Sequence, residues 1–288
     1  MFRNKFGKVA PIIILLNCLL VSMIAVAAEK ISNPEELVAK HLESLGTSQA
    51  RSDVKSRADE GTVQFRVLSG GTGYVDGKAV LLSEGPKLLL MISLPNNEYR
   101  GERFIFNGEK VEVRSATARQ TLSNFGASVH VQDVILREGL LGGALSTAWP
   151  LLNLQAHNPK LSYQGVKKVD GHEVHDLLYQ PKRNSDLTIH LYFDTDDFRH
   201  VRTVYTASFE PHIGTLDTES PQHRETRYRL EERFSNFASA DGLTLPTHYT
   251  IQYTEELENG HTVWSQWDTA VKAIKQNVSP DPRNFAVK

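Results

Sequence analysis

The hydrophobic pattern of the chain begins with the period of a helix. Asn33 suits an N-cap, and Pro34 suits the first helical position because its missing N–H has no intrahelical acceptor there. Apolar residues then recur every three or four positions over 37–45, and Gly46 suits the position after the last turn. The pattern predicts an amphipathic helix over 34–45 with one face packed on the rest of the protein.

From residue 62 onward the period changes to two, which is typical of strands. Val63, Phe65 and Val67 alternate with polar residues, whereas 87–94 is almost continuously apolar. A strand that is apolar on both sides is expected to be covered on both faces of its sheet. Two-residue turn signals join neighbouring segments at Asn107-Gly108, Asp170-Gly171, Asp241-Gly242 and Asn259-Gly260.

The second half continues the same pattern, with clean alternation over 187–193 and with Tyr228, Leu230 and Phe234 in a strand whose charged residues point the other way. Short spacings between strands favour an antiparallel meander over a parallel sheet with crossover helices. We predict an α+β protein, mainly β, with one large antiparallel sheet of 9–11 strands. So large a twisted sheet tends to curl, and helices are then expected to cover its concave face.

One segment between the halves, residues 128–154, is apolar at helical spacing but contains Gly139, Gly142 and Gly143. Glycine disfavours a regular helix. Two interpretations stay open: core helices that cover the sheet, or a movable lid, hinged at the glycines, over an apolar cavity that could accept an acyl chain. The candidate ligand-binding residues of lid and cavity are Leu140, Leu141, Leu145, Trp149, Leu90, Ile92, Phe104 and Phe106.

The first residues read as an export signal. Arg3, Lys5 and Lys8 precede an apolar run that ends in small residues at Ala27 and Ala28. A charged start, an apolar middle and a small-residue cleavage site define a secretory signal peptide, and an uncleaved membrane anchor is the alternative. We predict a signal peptide over 1–28, cleaved near Ala27 or Ala28, and a single domain over 29–288.

Cys18 is the only cysteine of the chain. A lipid-attachment cysteine ends the apolar run after a small residue, but Asn17 precedes Cys18 and further apolar residues follow it. The exported protein is therefore expected to be periplasmic, free of a lipid anchor and free of disulfides, with an ordinary hydrophobic core. The chain has 32 Lys and Arg against 34 Asp and Glu, which argues against nucleic-acid binding.

Motifs for catalysis or metal binding fail on inspection. Gly70-Gly71-Thr72-Gly73 with Gly77-Lys78 lacks the register of a phosphate loop and reads as a turn between strands. His172 and His175 are predicted to point to opposite faces of a strand, as a surface pair. The Asp-rich segment 194–197 reads as a solvated hairpin turn. We expect no enzyme activity, no metal and no cofactor.

Three stretches resemble a known superfamily. They are the opening helix with its Gly46, the hairpin and strands over 169–204, and the segment 234–246 that contains Asp241-Gly242. Together they resemble the periplasmic lipoprotein-sorting carriers LolA and LolB and their relatives. This resemblance implies a half-open β-barrel with helices over its apolar concave face, where LolA carries lipoprotein acyl chains.

The sequence therefore predicts a non-enzymatic periplasmic carrier or sensor of lipid or lipoprotein acyl chains, most simply a monomer. The alternative to an acyl-chain ligand is a protein partner in the cell envelope. In that alternative the chain is an interaction module with a filled core, which binds its partner through an edge strand or through the polar loop 210–224.

Overall fold

The computed structural model describes residues 31–69, 73–117, 120–183, 185–209, 226–257 and 260–288. Residues 31–288 form one compact unit. The predicted signal peptide and the loop 210–224 lie outside the described residues. The helices are α1 (Pro34–Leu45), α2 (Ser48–Asp53), α3 (Asn124–Val131), α4 (Val134–Arg137) and α5 (Leu154–His157), with 3-10 turns at Gly143–Leu145, Pro150–Asn153 and Pro282–Phe285.

All strands in the described ranges belong to one sheet. They are β1 (Ser56–Val67), β2 (Tyr74–Glu84), β3 (Lys87–Ser93), β4 (Glu102–Phe106), β5 (Val111–Ser115), β6 (Lys160–Val169), β7 (His172–Gln180), β8 (Thr188–Asp194), β9 (His200–Phe209), β10 (Thr226–Ala240), β11 (Leu243–Glu256) and β12 (Thr262–Gln276).

The sheet is an open antiparallel meander with one long-range pairing. Its order is β5-β4-β3-β2-β1-β12-β11-β10-β9-β8-β7-β6, so β1 and β12, from the two ends of the described chain, meet at the centre. The edge strands β5 and β6 do not pair with each other, so the sheet is not closed into a barrel. This confirms the predicted mainly β fold class with a large antiparallel sheet.

The strand count and one turn differ from the prediction. Within the described residues the sheet has twelve strands rather than 9–11, and the strand without a prediction is β2. Gly77 and Lys78 lie inside β2, so the prediction of a turn is wrong for these two residues, while Gly70, Gly71 and Thr72 of the same prediction lie outside the described residues. A Cβ at Gly77 would lie 2.2 Å from the carbonyl oxygen of Ser93 on β3, so this glycine permits close strand approach.

Helix α1 has the predicted ends and the predicted buried face. The Asn33 side chain accepts a hydrogen bond from the N–H of Glu36 at 2.8 Å, and Gly46 follows the last turn. Leu37, Val38 and Leu45 are buried, together with His41. The short helix α2, absent from the prediction, follows directly.

The sheet curls around a core on its inner face. Phe125 of α3 packs on Phe104 of β4 and on Trp267 of β12, with ring centroids 4.8 and 4.9 Å apart. Phe125 also contacts Tyr253 of β11 at 6.2 Å. One helix side chain therefore touches strands that are five positions apart in the sheet, which requires the sheet to wrap around it.

Strand β3 is buried on both faces, as its continuous apolar run predicts. Leu88, Leu90 and Ile92 join the main core on the inner face. Leu89 packs on the outer face, in a smaller cluster with Phe285 from the C-terminal 3-10 turn. Of the helices in the described residues, none is long and apolar enough to cross a membrane.

Candidate functional site

The inner face of the sheet is covered by residues 123–157, here called the cover segment. It comprises α3, α4, two 3-10 turns and α5, which are short because glycines and Pro150 interrupt them. All eight predicted ligand-binding residues lie where this segment meets the sheet, and each is at most 7% exposed within one continuous core. The structure brings the eight together, and here they pack on one another.

Gly139 and Gly142 of the cover segment have a left-handed backbone conformation and lie close to neighbouring residues. Gly139 has φ +68°, and a Cβ there would lie 2.1 Å from the carbonyl oxygen of Ala148. Gly142, at φ +83°, would place a Cβ 2.7 Å from a methyl group of Leu81 on β2. L side chains rarely adopt such φ values. The glycines therefore fix the path of the segment in the covered state.

A buried arginine holds the middle of the cover segment. Arg57, on the inner face of β1, is 3% exposed, and its Nη1 donates to the carbonyl oxygens of Ala144 and Leu145 at 2.7 and 3.1 Å. Burying a guanidinium costs several kcal/mol unless its donors find acceptors. The two carbonyls supply part of that compensation, so the position of the segment and the charge of Arg57 depend on each other.

A buried carboxylate binds the segment beside these carbonyls. Glu232, on the inner face of β10, accepts a hydrogen bond from the N–H of Gly142 at 2.8 Å. Its two oxygens also accept from the hydroxyl groups of Tyr249, at 2.5 Å, and Tyr205, at 2.6 Å. Burial raises the pKa of the Glu232 carboxyl, while these three donors lower it.

Two further carboxylates attach the segment to the sheet, one at its start and one near its middle. At its start, Glu102 of β4 accepts from the N–H and the Oγ of Ser123 at 2.6 and 2.8 Å. Further along, Glu138 of the segment accepts from the hydroxyl of Tyr179 on β7 at 2.6 Å. The segment is thus attached to the sheet by a few discrete polar contacts, and apolar packing fills the space between them.

Two buried histidines surround Trp149. The Nε1–H of Trp149 donates to Nε2 of His41 at 3.3 Å, and Nδ1 of His41 lies 3.1 Å from the carbonyl oxygen of Phe198. These partners fit a neutral imidazole with its proton on Nδ1. Burial lowers the pKa of His41 to about 4. His200 stacks on the Trp149 indole at 4.7 Å, and burial lowers its pKa as well.

Asp59 is a buried carboxyl without a hydrogen-bond partner among the described residues. It lies two residues after Arg57 on the same face of β1 and is 4% exposed, and both of its oxygens are unpaired there. Burial raises its pKa to about 8, against a smaller opposing effect of Arg57. Burial therefore favours the protonated, neutral form of this carboxyl.

Openings flank the cover segment within the described residues. Near its start, a cavity of about 360 Å³ separates Ala127 and Val131 of α3 from Tyr228 and Tyr253 of the inner face. Near its other end, a cavity of about 400 Å³ lies between α1, α2 and the turn at Leu243. Neither cavity is lined by the eight predicted residues, but both reach side chains of the same core.

A separate polar cavity of about 550 Å³ lies on the outer face of β8–β12. It contains an array with the residue types of a hydrolytic triad: the Oγ of Ser235 lies 3.1 Å from Nδ1 of His248, whose Nε2 lies 2.6 Å from Asp268. A working triad buries its acid. Asp268 is 35% exposed here, and water screens its effect on the imidazole.

One sequence prediction about the histidines is wrong. His172 is exposed, but His175 is 4% exposed and faces the core, where it stacks on Phe198 and lies 2.9 Å from the hydroxyl of Tyr163. The two do lie on opposite faces of β7. Across the described ranges, no group of three or more His, Cys, Asp or Glu side chains is placed to hold a metal ion.

The polar residues that hold the cover segment escaped sequence reasoning. Arg57, Glu102 and Glu232 stand at positions where strand alternation predicts an inward apolar residue, so each interrupts the apolar pattern of its own strand. That interruption is the only sequence signal. Their partners come from residues about 20 to 90 positions away, which no spacing rule connects.

The fold and site define an open antiparallel sheet curled around a covered apolar face. No protein-family model and no curated protein matches this chain. A LolA superfamily protein from Nitrosomonas europaea, of the superfamily that the sequence resembles, is 15% identical with a TM-score of 0.46, covering 89% of this chain and 99% of that one.

Two other solved structures are similar to the chain. A DUF1329 family protein from Desulfovibrio piger is 12% identical with a TM-score of 0.40, covering 88% of this chain and 96% of that one. A chain of the Pseudomonas aeruginosa MucA/MucB complex is 9% identical with a TM-score of 0.23, covering 85% and 100%. TM-scores this low do not support a shared function, so the functional proposal depends on the residues of this chain.

Proposed function

We propose that this protein is a periplasmic carrier or sensor of lipid or lipoprotein acyl chains, which bind between the sheet and the cover segment. The eight predicted residues, including Leu141, Trp149 and Phe104, would line the bound chain. In this proposal residues 1–28 direct export and residues 29–288 act as one soluble, monomeric, non-enzymatic domain.

The observation that carries the proposal is how the apolar inner face is covered. A second sheet or a long helix would give a permanent core, because it contributes a regular apolar surface along its whole length. Here the cover is a chain of short helices and turns, attached through Arg57, Glu102, Glu138 and Glu232. Displacing it would expose a curved apolar surface while the sheet stays intact.

The two cavities beside the cover segment support an uptake route. Val131, on the α3 side, is 69% exposed, although it adjoins the buried Tyr228 and Tyr253. The cavity therefore places an exposed apolar side chain next to aromatic residues of the inner face. An acyl chain entering there would meet inner-face aromatic residues first and would then displace the segment.

A disulfide that locks the cover segment tests the proposal. The N–H of Thr147 donates to the Oγ of Ser83 at 2.9 Å, so the cover and β2 lie side by side at this point. Since the sequence after the predicted signal peptide has no cysteine, Ser83→Cys with Thr147→Cys introduces the only thiols there. Native mass spectrometry would then measure uptake of monopalmitoylglycerol by the oxidised and reduced forms.

We expect the reduced form to take up the lipid and the oxidised form to take up none. A matched control is the cross-strand pair Gln64→Cys with Asp76→Cys, which links β1 to β2 on the exposed face without touching the cover. It should bind lipid in both redox states. Equal uptake by the locked and reduced forms, or no uptake by the native protein, would overturn the proposal.

The close packing of the eight residues favours one alternative function, an envelope protein-interaction module with a filled core. Such a module needs no opening of its cover. The oxidised Ser83→Cys, Thr147→Cys protein should then replace the native protein in its host as well as the reduced form does. Deleting the loop 210–224, outside the described residues, should abolish partner pull-down under this alternative.

A further inference from the structure

The cavity between α1, α2 and the end of the cover segment has an unusual lining. We infer that it binds the acidic head of an amphiphile, a carboxylate or a phosphate, whose hydrocarbon chain continues beneath the cover segment. This inference rests on the proposed function and names the class of its ligand. We call this space the head-group cavity.

The charged residues of the head-group cavity are all cationic. Arg51 of α2, Lys55 before β1 and the buried Arg57 line it, and no carboxylate is among its described lining residues. Cations gathered in a cavity whose described lining holds no carboxylate raise the local potential, and low-dielectric walls strengthen that effect. The charge of this cavity therefore favours an anion.

Arg57 provides the strongest argument for an anion. Its Nη1 donates to two backbone carbonyls, but its Nε, buried with the rest of the side chain, has no acceptor among the described residues. Buried donors normally have partners, and a buried charge needs them most. An anion at the cavity floor would supply the missing acceptor and would compensate the charge.

Asp59, the neighbouring carboxyl, makes no hydrogen bond to Arg57, and its burial disfavours the charged form. No ion pair joins the two among the described residues, and burial raises the pKa of Asp59 to about 8. A protonated carboxyl carries no charge, so the guanidinium keeps its full attraction for a ligand. The burial of Asp59 therefore preserves the cationic character of the cavity floor.

Arg51 and Lys55 hold the rim of the cavity. Nη1 of Arg51 donates to the carbonyl oxygens of Leu42, at 2.6 Å, and Gly46, which fixes the guanidinium at the C-terminal end of α1. Nζ of Lys55 lies 2.5 Å from the carbonyl oxygen of Ser52. Lys55 is exposed, so its ammonium group remains accessible to a ligand from solvent.

The remaining lining continues into the apolar core. Leu45, Leu243 and Leu245 line the cavity and belong to the main core, and Ala144 connects it to the cover segment. With a volume of about 400 Å³, the cavity falls within the range of small-molecule sites. A charged rim that leads to an apolar interior matches an amphiphile with a small acidic head.

The test compares three probes with the same acyl chain: palmitate, palmitoyl lysophosphatidate and the neutral monopalmitoylglycerol. Calorimetric titration of the native protein should show at least one acidic probe binding about tenfold tighter than the neutral one, the gain of a charge-assisted hydrogen bond. Whichever acidic probe binds tightly identifies carboxylate or phosphate as the head. Equal affinities for all three probes would overturn the inference.

Variants locate the effect. Lys55→Gln, at an exposed position, should reduce the acidic preference roughly twofold to fivefold and leave the neutral probe unaffected. Lys168→Gln, which removes an equally exposed cation from β6, should change neither. Arg57→Gln should remove most of the preference. A preference for acid that survives both Lys55→Gln and Arg57→Gln would place the anion elsewhere.

The outcomes separate this inference from the proposed function. Tight binding of monopalmitoylglycerol without a preference for acid leaves the carrier function standing and refutes the head-group cavity. Failure of all three probes to bind refutes both. Because Arg57 also contacts the cover segment, the folding of Arg57→Gln is checked first by circular dichroism. If that variant does not fold, the comparison of Lys55→Gln with Lys168→Gln decides the question.

Discussion

The Oε1 of Glu232 on β10 accepts a hydrogen bond from the backbone N–H of Gly142 in the cover segment, at 2.8 Å. This contact joins the centre of the sheet to a residue 90 positions earlier in the chain. It places a buried carboxylate on the inner face of the sheet, and two tyrosine hydroxyls complete its surroundings. The stability of the covered state should therefore depend on this one side chain.

Replacing Glu232 with Leu should lower the free energy of unfolding by about 3 kcal/mol, because three buried donors lose their acceptor. Amide exchange at Gly142 should accelerate with it. Glu232→Gln, which keeps one acceptor oxygen, should cost about half as much. Urea denaturation and hydrogen exchange measure both quantities, and an unchanged exchange rate at Gly142 would contradict the role given to this contact.

Gly139→Ala should destabilise the protein by about 3 kcal/mol or more, since the new Cβ meets a backbone oxygen and the residue must keep a positive φ. The matched control is Gly171→Ala. Its φ is +88°, but nothing lies within 4 Å of the new Cβ. The control should cost only the backbone strain of about 1 kcal/mol. Similar losses in thermal stability for the two variants would contradict a close contact at Gly139.

Acid should destabilise the fold through His41. In the unfolded chain this histidine titrates near 6.5, and in the folded protein near 4, so the unfolded state binds more protons between these values. Stability should fall by about 3 kcal/mol as the pH drops from 6.5 to 4. His41→Asn, which keeps a donor for Phe198, should flatten this part of the profile. An equally steep loss in the variant would assign the effect to other groups.

Asp59 should make the protein less stable as the pH rises, the opposite of the pH dependence due to His41. The folded carboxyl titrates near 8 and the unfolded one near 3.8, so the unfolded state releases its proton first as the pH rises. The wild-type protein loses stability over this window, and Asp59→Asn should remove that loss. We expect the variant to be more stable by roughly 2 kcal/mol or more at pH 8 and nearly equal at pH 4. Chemical denaturation at both pH values distinguishes these results.

The triad-like array on the outer face should be catalytically silent. Ser235 is exposed, and Asp268, the acid that would orient His248, is partly exposed to solvent. Hydrolysis of p-nitrophenyl acetate should therefore proceed equally with the native protein and with Ser235→Ala. A loss of measurable esterase activity in the variant, with the fold unchanged, would establish an enzyme and refute the expectation of no catalysis.

The sequence by itself determined the local structure of this protein. The helix from Pro34 to Leu45, the two-residue turns at Asp170-Gly171 and Asp241-Gly242, and the doubly buried strand β3 all follow from interactions between near neighbours. The mainly β antiparallel class follows too, because short connections leave few other ways to pair successive strands. The hydrophobic pattern also predicts the eight apolar residues of the candidate site, and their role in ligand binding stays a prediction.

Only the tertiary structure decided how the covered face is held. The pairing of β1 with β12, the contact of Arg57 with Ala144 and the cationic lining of the head-group cavity join residues far apart in the chain. An isolated arginine, aspartate or glutamate inside an alternating strand has no local partner that would predict its burial. In the folded protein Arg57 donates to carbonyl oxygens of the cover segment, and Glu232 accepts from one of its N–H groups. These buried charges therefore acquire their partners only in the tertiary structure.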